Sequence, residues 1–298
     1  MSAIGNFSHG AVTGGRTNGI SAASTMWRGK LAWPLLIVLI LFYAWPLIQI
    51  LLMSFGAPAF TTEAYSRIFA VPAYGLVMMN TLWISAIVTA ICLVFGYPVA
   101  FLLATASPRL SRALILFVVV PFGTSLLVRN YAWMVILGNN GLVNSALKSL
   151  GIIEQPLPLL YNTFGAVAGM AHVLMPYMIL VLLAAMRGIE QSLGFAAHSL
   201  GATPFRAFRT IFLPLSAPGI VAGSVLVFIM SLGFFITPAL LGGRSGTMIS
   251  MVIEAQINQL VNWPLGAALS ILLLVVTFIL LGMGAWLAAW RRGKRGVL

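Results

Sequence analysis

The chain has 298 residues, of which 61% are hydrophobic and only 7% charged, with a formal net charge of +12; soluble domains carry about 25% charged residues, so a soluble enzyme or binding domain is excluded. The basic residues fall between apolar runs instead of forming one face, which excludes a nucleic-acid binder and points to cations that set membrane orientation. A single cysteine, Cys92, excludes an intrachain disulfide, and no Cys/His cluster suggests a metal.

Residues 1–30 are rich in Gly, Ser, Thr and Asn and read as a disordered tail. Residues 31–76 hold a first transmembrane helix, about 33–55, and a loop with Glu63 and Arg67. Around 20 apolar residues cross a bilayer. Pro34 and Pro46 kink this helix at most. Residues 77–286 form the transmembrane core, with further spans at about 80–104, 113–136, 164–186, 219–241 and 266–289. Gly138-Asn139-Asn140-Gly141 ends the third with turn chemistry. Between the fifth and sixth, Met248 to Leu260 reads as a short amphipathic helix at an interface, and residues 290–298 form a basic tail. The expected fold is therefore an all-α integral membrane protein with six transmembrane helices.

Six spans put both termini on one side. Arg16, Arg28, Lys30, Arg109, Arg112, Arg187, Arg206, Arg209, Arg291, Arg292, Lys294 and Arg295 share that side, against Arg67, Lys148 and Arg244 on the other. The excess of cations makes it the cytoplasm, and the loop at 31–76 extracytoplasmic.

Residues 187–218 form the longest polar passage between two strongly apolar runs. Ser192 suits a helix N-cap, with Leu193, Ala196, Ala197 and Leu200 on one apolar face and Gly201 in the C′ position, where a positive φ is expected. Thr203 and Pro204 suit the N-cap and first residue of a second short helix, with Phe205, Phe208 and Phe212 on one side. Pro214 and Pro218 are expected to end it. A helix–turn–helix leaves turn groups unpaired, so it must stand outside the lipid as a cytoplasmic knob between spans four and five.

Ala196-Ala197, three residues, Gly201, nine residues, then Ile211, Phe212, Leu213 and Pro214 resemble the EAA loop of ABC importer permeases. The family's leading Glu is Phe195 here. Asn80-Thr81-Leu82, Gly96-Tyr97-Pro98, the run Leu127 to Trp133, Asn140 to Asn144, and Asn262-Trp263-Pro264 with Gly266-Ala267-Ala268 look like the spermidine/putrescine branch of type I ABC importers. The resemblance implies a multi-pass inner-membrane permease. It also implies a second permease subunit, a cytoplasmic ATPase dimer that holds ATP and magnesium, and an extracytoplasmic solute-binding protein. The implied solute is a polyamine such as spermidine or putrescine, although the branch also serves other organic solutes, opines and amino-acid-like compounds among them. ATPase coupling falls on Phe195, Ala196, Ala197, Gly201, Ala202, Pro204, Arg206, Ile211, Leu213 and Pro214. With Ser192 as N-cap, position 195 would be N3, where a Glu completes a capping box; the Phe195 ring instead suits a pocket on the ATPase.

No catalytic constellation is present, and the chain has no cofactor of its own. Gly29-Lys30 and Gly293-Lys294 are followed by Leu and Arg and complete no P-loop. No carboxylate lies in an expected span, which weakens the alternative of an ion-coupled secondary transporter; an intramembrane enzyme lacks catalytic clusters altogether. Arg129 is the one charge within a span. At 1.5 Å per residue a straight helix puts it about 25 Å from Arg112, at the outer interface beside Tyr131 and Trp133. There it either snorkels as an anchor or, with Asn130, marks the mouth of a path. His172 reads as a packing or hydrogen-bonding residue. The candidate path residues are Asn80, Arg129, Asn130, Tyr131, Trp133, His172, Tyr177 and Phe235.

Overall fold

The structure, a computed structural model, describes residues 21–56, 58–190 and 192–295. These are helical, with no strand among them. Two units divide the chain, Met1–Ile50 and Leu51–Leu298. In the first lies most of α1 (Ser21–Ser54), continuous through Pro34 and Pro46. It begins ten residues inside the expected tail, because Ala22, Ala23 and Met26 are good helix formers and a helix already nucleated in the span propagates into them. The rest of the expected tail, residues 1–20, lies outside the described residues.

In the second unit, α2 (Glu63–Ala70) occupies the loop before α3 (Pro72–Thr105), which starts with Pro72 in its first turn. Then come α4 (Pro108–Val119), a tight 3-10 turn at Val120–Gly123, α5 (Leu126–Leu137) and α6 (Leu142–Ser149). α7 (Thr163–Arg187) is capped by Asn162, whose side chain accepts the Gly165 N–H at 3.0 Å. α8 (Ser192–Ser199) and α9 (Pro204–Ala207) lead through a π turn, Phe208–Phe212, into α10 (Leu213–Leu232). α11 (Ile236–Leu241) and α12 (Ile249–Glu254) are short; a second π turn, Ala255–Gln259, precedes α13 (Trp263–Arg295). α13 extends helix into the expected basic tail. Five stretches are long and apolar enough to cross a membrane, or six if the bent third run counts as one.

Packing centres on α7. Met170, Leu174, Met178, Leu182 and Met186 recur every four residues and are buried against Ile84, Val88 and Cys92 of α3, at the same spacing, and Val227 of α10. Rows at i±4 are the ridges through which helices interdigitate. Lipid tails are as apolar as leucine, so membrane helices associate by close contact across small residues. Gly96, Gly219 and Gly223 supply these: an added Cβ would stand 3.3 Å from Met178 Cγ, 2.3 Å from Ala185 Cβ and 2.8 Å from Met178 Sδ, respectively. A second cluster joins Ile68, Met78, Ile249, Leu265 and Leu269, and so packs α2, α3, α12 and α13 together.

Three expectations are corrected here. The third apolar run is not one straight span: residues 108–123 and 126–149 meet at 99°. Pro121 has no N–H to continue the helix, and the Thr124 N–H and hydroxyl both turn back to its carbonyl. The straight-helix distance from Arg112 to Arg129 therefore does not apply. The fifth span does not run from 219 to 241. Its helix ends at Leu232 and unwinds at Gly233–Phe235 before α11, and toward its start it is continuous with the second helix of the knob, from Pro204 on. Finally, Pro214 and Pro218 do not end the second short helix. The Leu213 N–H reaches Phe208 O, five residues back, so the π turn delivers the chain to Pro214 at the start of α10, where a missing N–H costs little.

Candidate functional site

Two regions hold most of the residues singled out in the sequence. The first is the helix–turn–helix. α8 ends in Gly201 at φ +83, and the Ala202 N–H bonds Ala197 O at 3.0 Å, the six-to-one bond of a Schellman cap. Thr203 caps α9: its hydroxyl accepts the Arg206 N–H at 3.3 Å, and Pro204 follows in the first turn. Ser192 departs from expectation. It is the first helical residue, not the cap, and its hydroxyl bonds a Glu190 carboxylate oxygen at 3.2 Å. Position 195 is accordingly not N3 of a Ser192-capped helix. Of Phe195 only the backbone is described; its ring, and the contact expected of it, lie outside the described residues.

The knob is mounted on α3 through aromatic rings. Phe101 meets Phe208 at 5.4 Å and Phe212 at 4.8 Å, both edge-on, and the Tyr97 hydroxyl lies 2.8 Å from Ser216 Oγ. Arg187 donates to Ser111 Oγ at 3.1 Å, and that hydroxyl donates to Leu103 O, which joins the ends of α7, α4 and α3. Ile211 is half-buried, and Leu213, Pro214 and Arg206 are exposed. A cavity of about 490 Å³ separates the knob from the span ends, with Met186, Arg187 and Leu193 in its wall. The expected apolar face of α8 is mostly unburied. Ala197 is buried, but Ala196 is exposed, Leu193 is exposed and Leu200 is 88% exposed. Phe205 parts from Phe208 and Phe212 and stands 71% exposed.

The second region is polar and interior. α5 brings Arg129, Asn130 and Trp133 toward α7; the Trp133 ring meets His172 edge-on at 5.7 Å. Arg129 Nε, both side-chain polar atoms of Asn130, His172 Nδ1, Ser231 Oγ and Thr237 Oγ1 are buried without a hydrogen-bond partner among the described residues. Buried polar groups are normally paired, so these atoms form the candidate polar site. Gly169 makes room for it: a Cβ there would stand 2.7 Å from Thr237 Cγ2 and 3.9 Å from Asn130 Oδ1.

The other path candidates lie apart. Tyr131 is exposed. Tyr177 packs edge-on against Phe122 at 4.8 Å, beside the bend. Phe235 sits in the break between α10 and α11. Asn80 is a tether. Its amide donates to Ser245 O at 3.0 Å and to Thr247 O at 2.8 Å, and so fastens the loop after α11 to α3. Asn80→Leu would keep the volume and strip the Thr247 carbonyl of its donor, while Ser245 O keeps the Thr163 hydroxyl at 3.0 Å. The variant is expected to lose about 1–3 kcal/mol, read as a lower unfolding midpoint of the detergent-solubilised chain. Ser231, Thr237 and Glu254 were not singled out in the sequence. Hydroxyls are common in apolar helices, so only burial distinguishes the first two, and no local signal separates Glu254 from the other acids.

A family model described as "binding-protein-dependent transport system inner membrane component" matches residues 15–293. The spermidine/putrescine transport system permease protein PotB of Haemophilus influenzae is 37% identical over 253 residues, 84% of this chain and 88% of that protein. PotB of Escherichia coli K12 is 34% identical over 241 residues, 81% and 86% of the two chains. Among solved structures, a bacterial ABC transporter involved in import of the acidic polysaccharide alginate superposes with a TM-score of 0.67 at 21% identity, over 90% of this chain and 98% of that one. The MetNI methionine ABC transporter gives 0.54 at 18%, over 70% and 91%. These two share the fold. With a family match across nearly its whole length, the chain belongs to the inner-membrane permease components of binding-protein-dependent transport systems.

Proposed function

We propose that this chain is the permease subunit of an ATP-driven importer whose solute is a polyamine such as spermidine or putrescine. Similarity to spermidine/putrescine permeases over more than four-fifths of the chain carries the proposal. ATP and magnesium belong to a separate ATPase dimer, and a second permease and an extracytoplasmic binding protein complete the assembly. The helix–turn–helix docks on the ATPase and transmits its closure. Support comes from the exposed apolar side chains of Leu200 and Phe205 at its tip, since large exposed apolar groups mark contact surfaces. The rigid mount on Phe101 supports the same role, because a coupling element must move as one body. Both termini and the tip face the cytoplasm, on the distribution of the basic residues. Arg129, Asn130 and His172 border the path, where their unpaired polar atoms meet solute or water.

The test is uptake by the purified complex in proteoliposomes, with binding protein outside and ATP inside. Labelled spermidine and putrescine should accumulate only with both present. If another organic solute accumulates and polyamines do not, the substrate is wrong and the permease role stands. Accumulation driven by an ion gradient without ATP would overturn the importer itself.

A further inference from the structure

Glu254 stands out among the chain's four carboxylates. Glu63, Glu154 and Glu190 are exposed, whereas Glu254 is half-buried. It lies in the wall of a second cavity of about 490 Å³, together with Phe235, Thr247 and Gln259. Its contacts are weak: the Asn258 amide at 3.5 Å and the Gln259 amide at 3.4 Å. No Lys or Arg among the described residues pairs with it. A carboxylate in a cavity wall with no cation beside it leaves acceptor capacity for a positive partner from elsewhere.

The backbone around it is irregular on both sides. α10 stops at Leu232, and Phe235 sits in the break at φ −121 and ψ −56. Ser250 Oγ donates to Phe234 O and so satisfies a carbonyl that the break leaves free. Ser250 and Glu254 are four residues apart on α12 and share one face, which turns the carboxylate toward the same break. Directly after Glu254 the helix widens into the π turn, where the Leu260 N–H bonds Ala255 O at 2.9 Å. Broken helices within an apolar bundle are tolerated where they line a cavity, and interrupted helices are where transporters build their solute sites.

We propose that Glu254 is the anionic station of the translocation path, where a protonated amine of the solute is held between the carboxylate and the face of Phe235. A carboxylate and an aromatic face in one cavity are the two groups that favour an ammonium ion over neutral solutes. The inference rests on the polyamine substrate proposed above and assigns the residue that meets its charge. Gln259 and Thr247 supply neutral polar contacts for the remainder of the chain.

The experiment measures ATP-dependent spermidine uptake by the complete complex in proteoliposomes, comparing wild type, Glu254→Gln, Glu254→Asp and Glu154→Gln. Glu254→Gln should import at least tenfold more slowly, Glu254→Asp should recover at least a third of the wild-type rate, and Glu154→Gln, which removes the same charge from an exposed site, should match wild type. Each variant's ATPase content after purification is read alongside. Wild-type uptake by Glu254→Gln overturns the station. So does a Glu254→Gln complex that has lost its ATPase, since the residue is then structural. A wild type that imports another solute and no polyamine overturns the substrate proposal and this inference with it; a working wild type separates the two failures.

Discussion

Gly201→Val is expected to lower solute uptake at least tenfold while the chain still inserts in the membrane. The residue holds φ +83, and a β-branched side chain there clashes with its own backbone. That conformation costs an L-residue about 1–2 kcal/mol. An added Cβ meets nothing within 4 Å, so the damage is confined to the turn and neither helix is pushed from its seat by contact. The chain escapes the strain by rotating the Gly201 backbone, which breaks the Ala202-to-Ala197 bond and changes the angle between α8 and α9. The series Asn, Ala, Val should therefore lose activity in that order, because asparagine visits the left-handed region most readily. Uptake and ATP hydrolysis measured on one preparation check this. Equal activity across the series would show that the turn angle is not what couples the subunits.

Gly219→Val should deplete assembled protein, through the bundle and not through the knob. The glycine faces Ala185 where α10 crosses α7, and a Cβ would lie 2.3 Å from the Ala185 Cβ. Two methyl carbons need close to 4 Å, so the helices must separate along a seam whose closeness is the source of their attraction. Overpacking of this kind costs typically 1–3 kcal/mol, occasionally more. Expected readouts are a large fall in the yield of monodisperse protein and a lower unfolding midpoint. Gly219→Ala should show the same effect more mildly, and Gly219→Ala with Ala185→Gly should recover most of it, since the methyl has only moved across the seam. Failure of the double variant to recover would place the defect elsewhere.

Local rules read well from sequence where the deciding atoms are local. Gly201, Thr203 and Pro204 each follow from which dihedrals and donors a residue has, and each takes its expected place. Ser192 fails by one position because cap and first turn differ by a single residue, and a neighbouring carboxylate, Glu190, captures its hydroxyl. The apolar face of α8 was legible as a pattern, but the pattern does not say whether the chain itself covers it. Direction was not legible either. Pro121 and Gly123 stand inside the third apolar run, yet hydropathy averages over them and reports it as uninterrupted. Asn80 bonds carbonyls 165 and 167 residues away, and no local signal separates such a tether from a residue that meets solute. Glu254 was readable only as an acid on a short amphipathic helix. Its place beside the break follows from Ser250, one turn earlier on α12, which bonds a carbonyl sixteen residues away.

The π turn at Phe208–Phe212 gives the nine-residue interval between Gly201 and Ile211 a second meaning. A π turn is an α-helix with one residue inserted, and each residue of an α-helix advances the azimuth by about 100°. The extra residue therefore acts as a compass setting: it fixes the heading of the Leu200–Phe205 tip around the α10 axis, independently of how far the tip projects. Homologous chains with the same interval would hold the same heading even where the residues within it differ, and a one-residue change in the loop would swing the tip by more than a quarter turn while altering its reach by only about 1.5 Å.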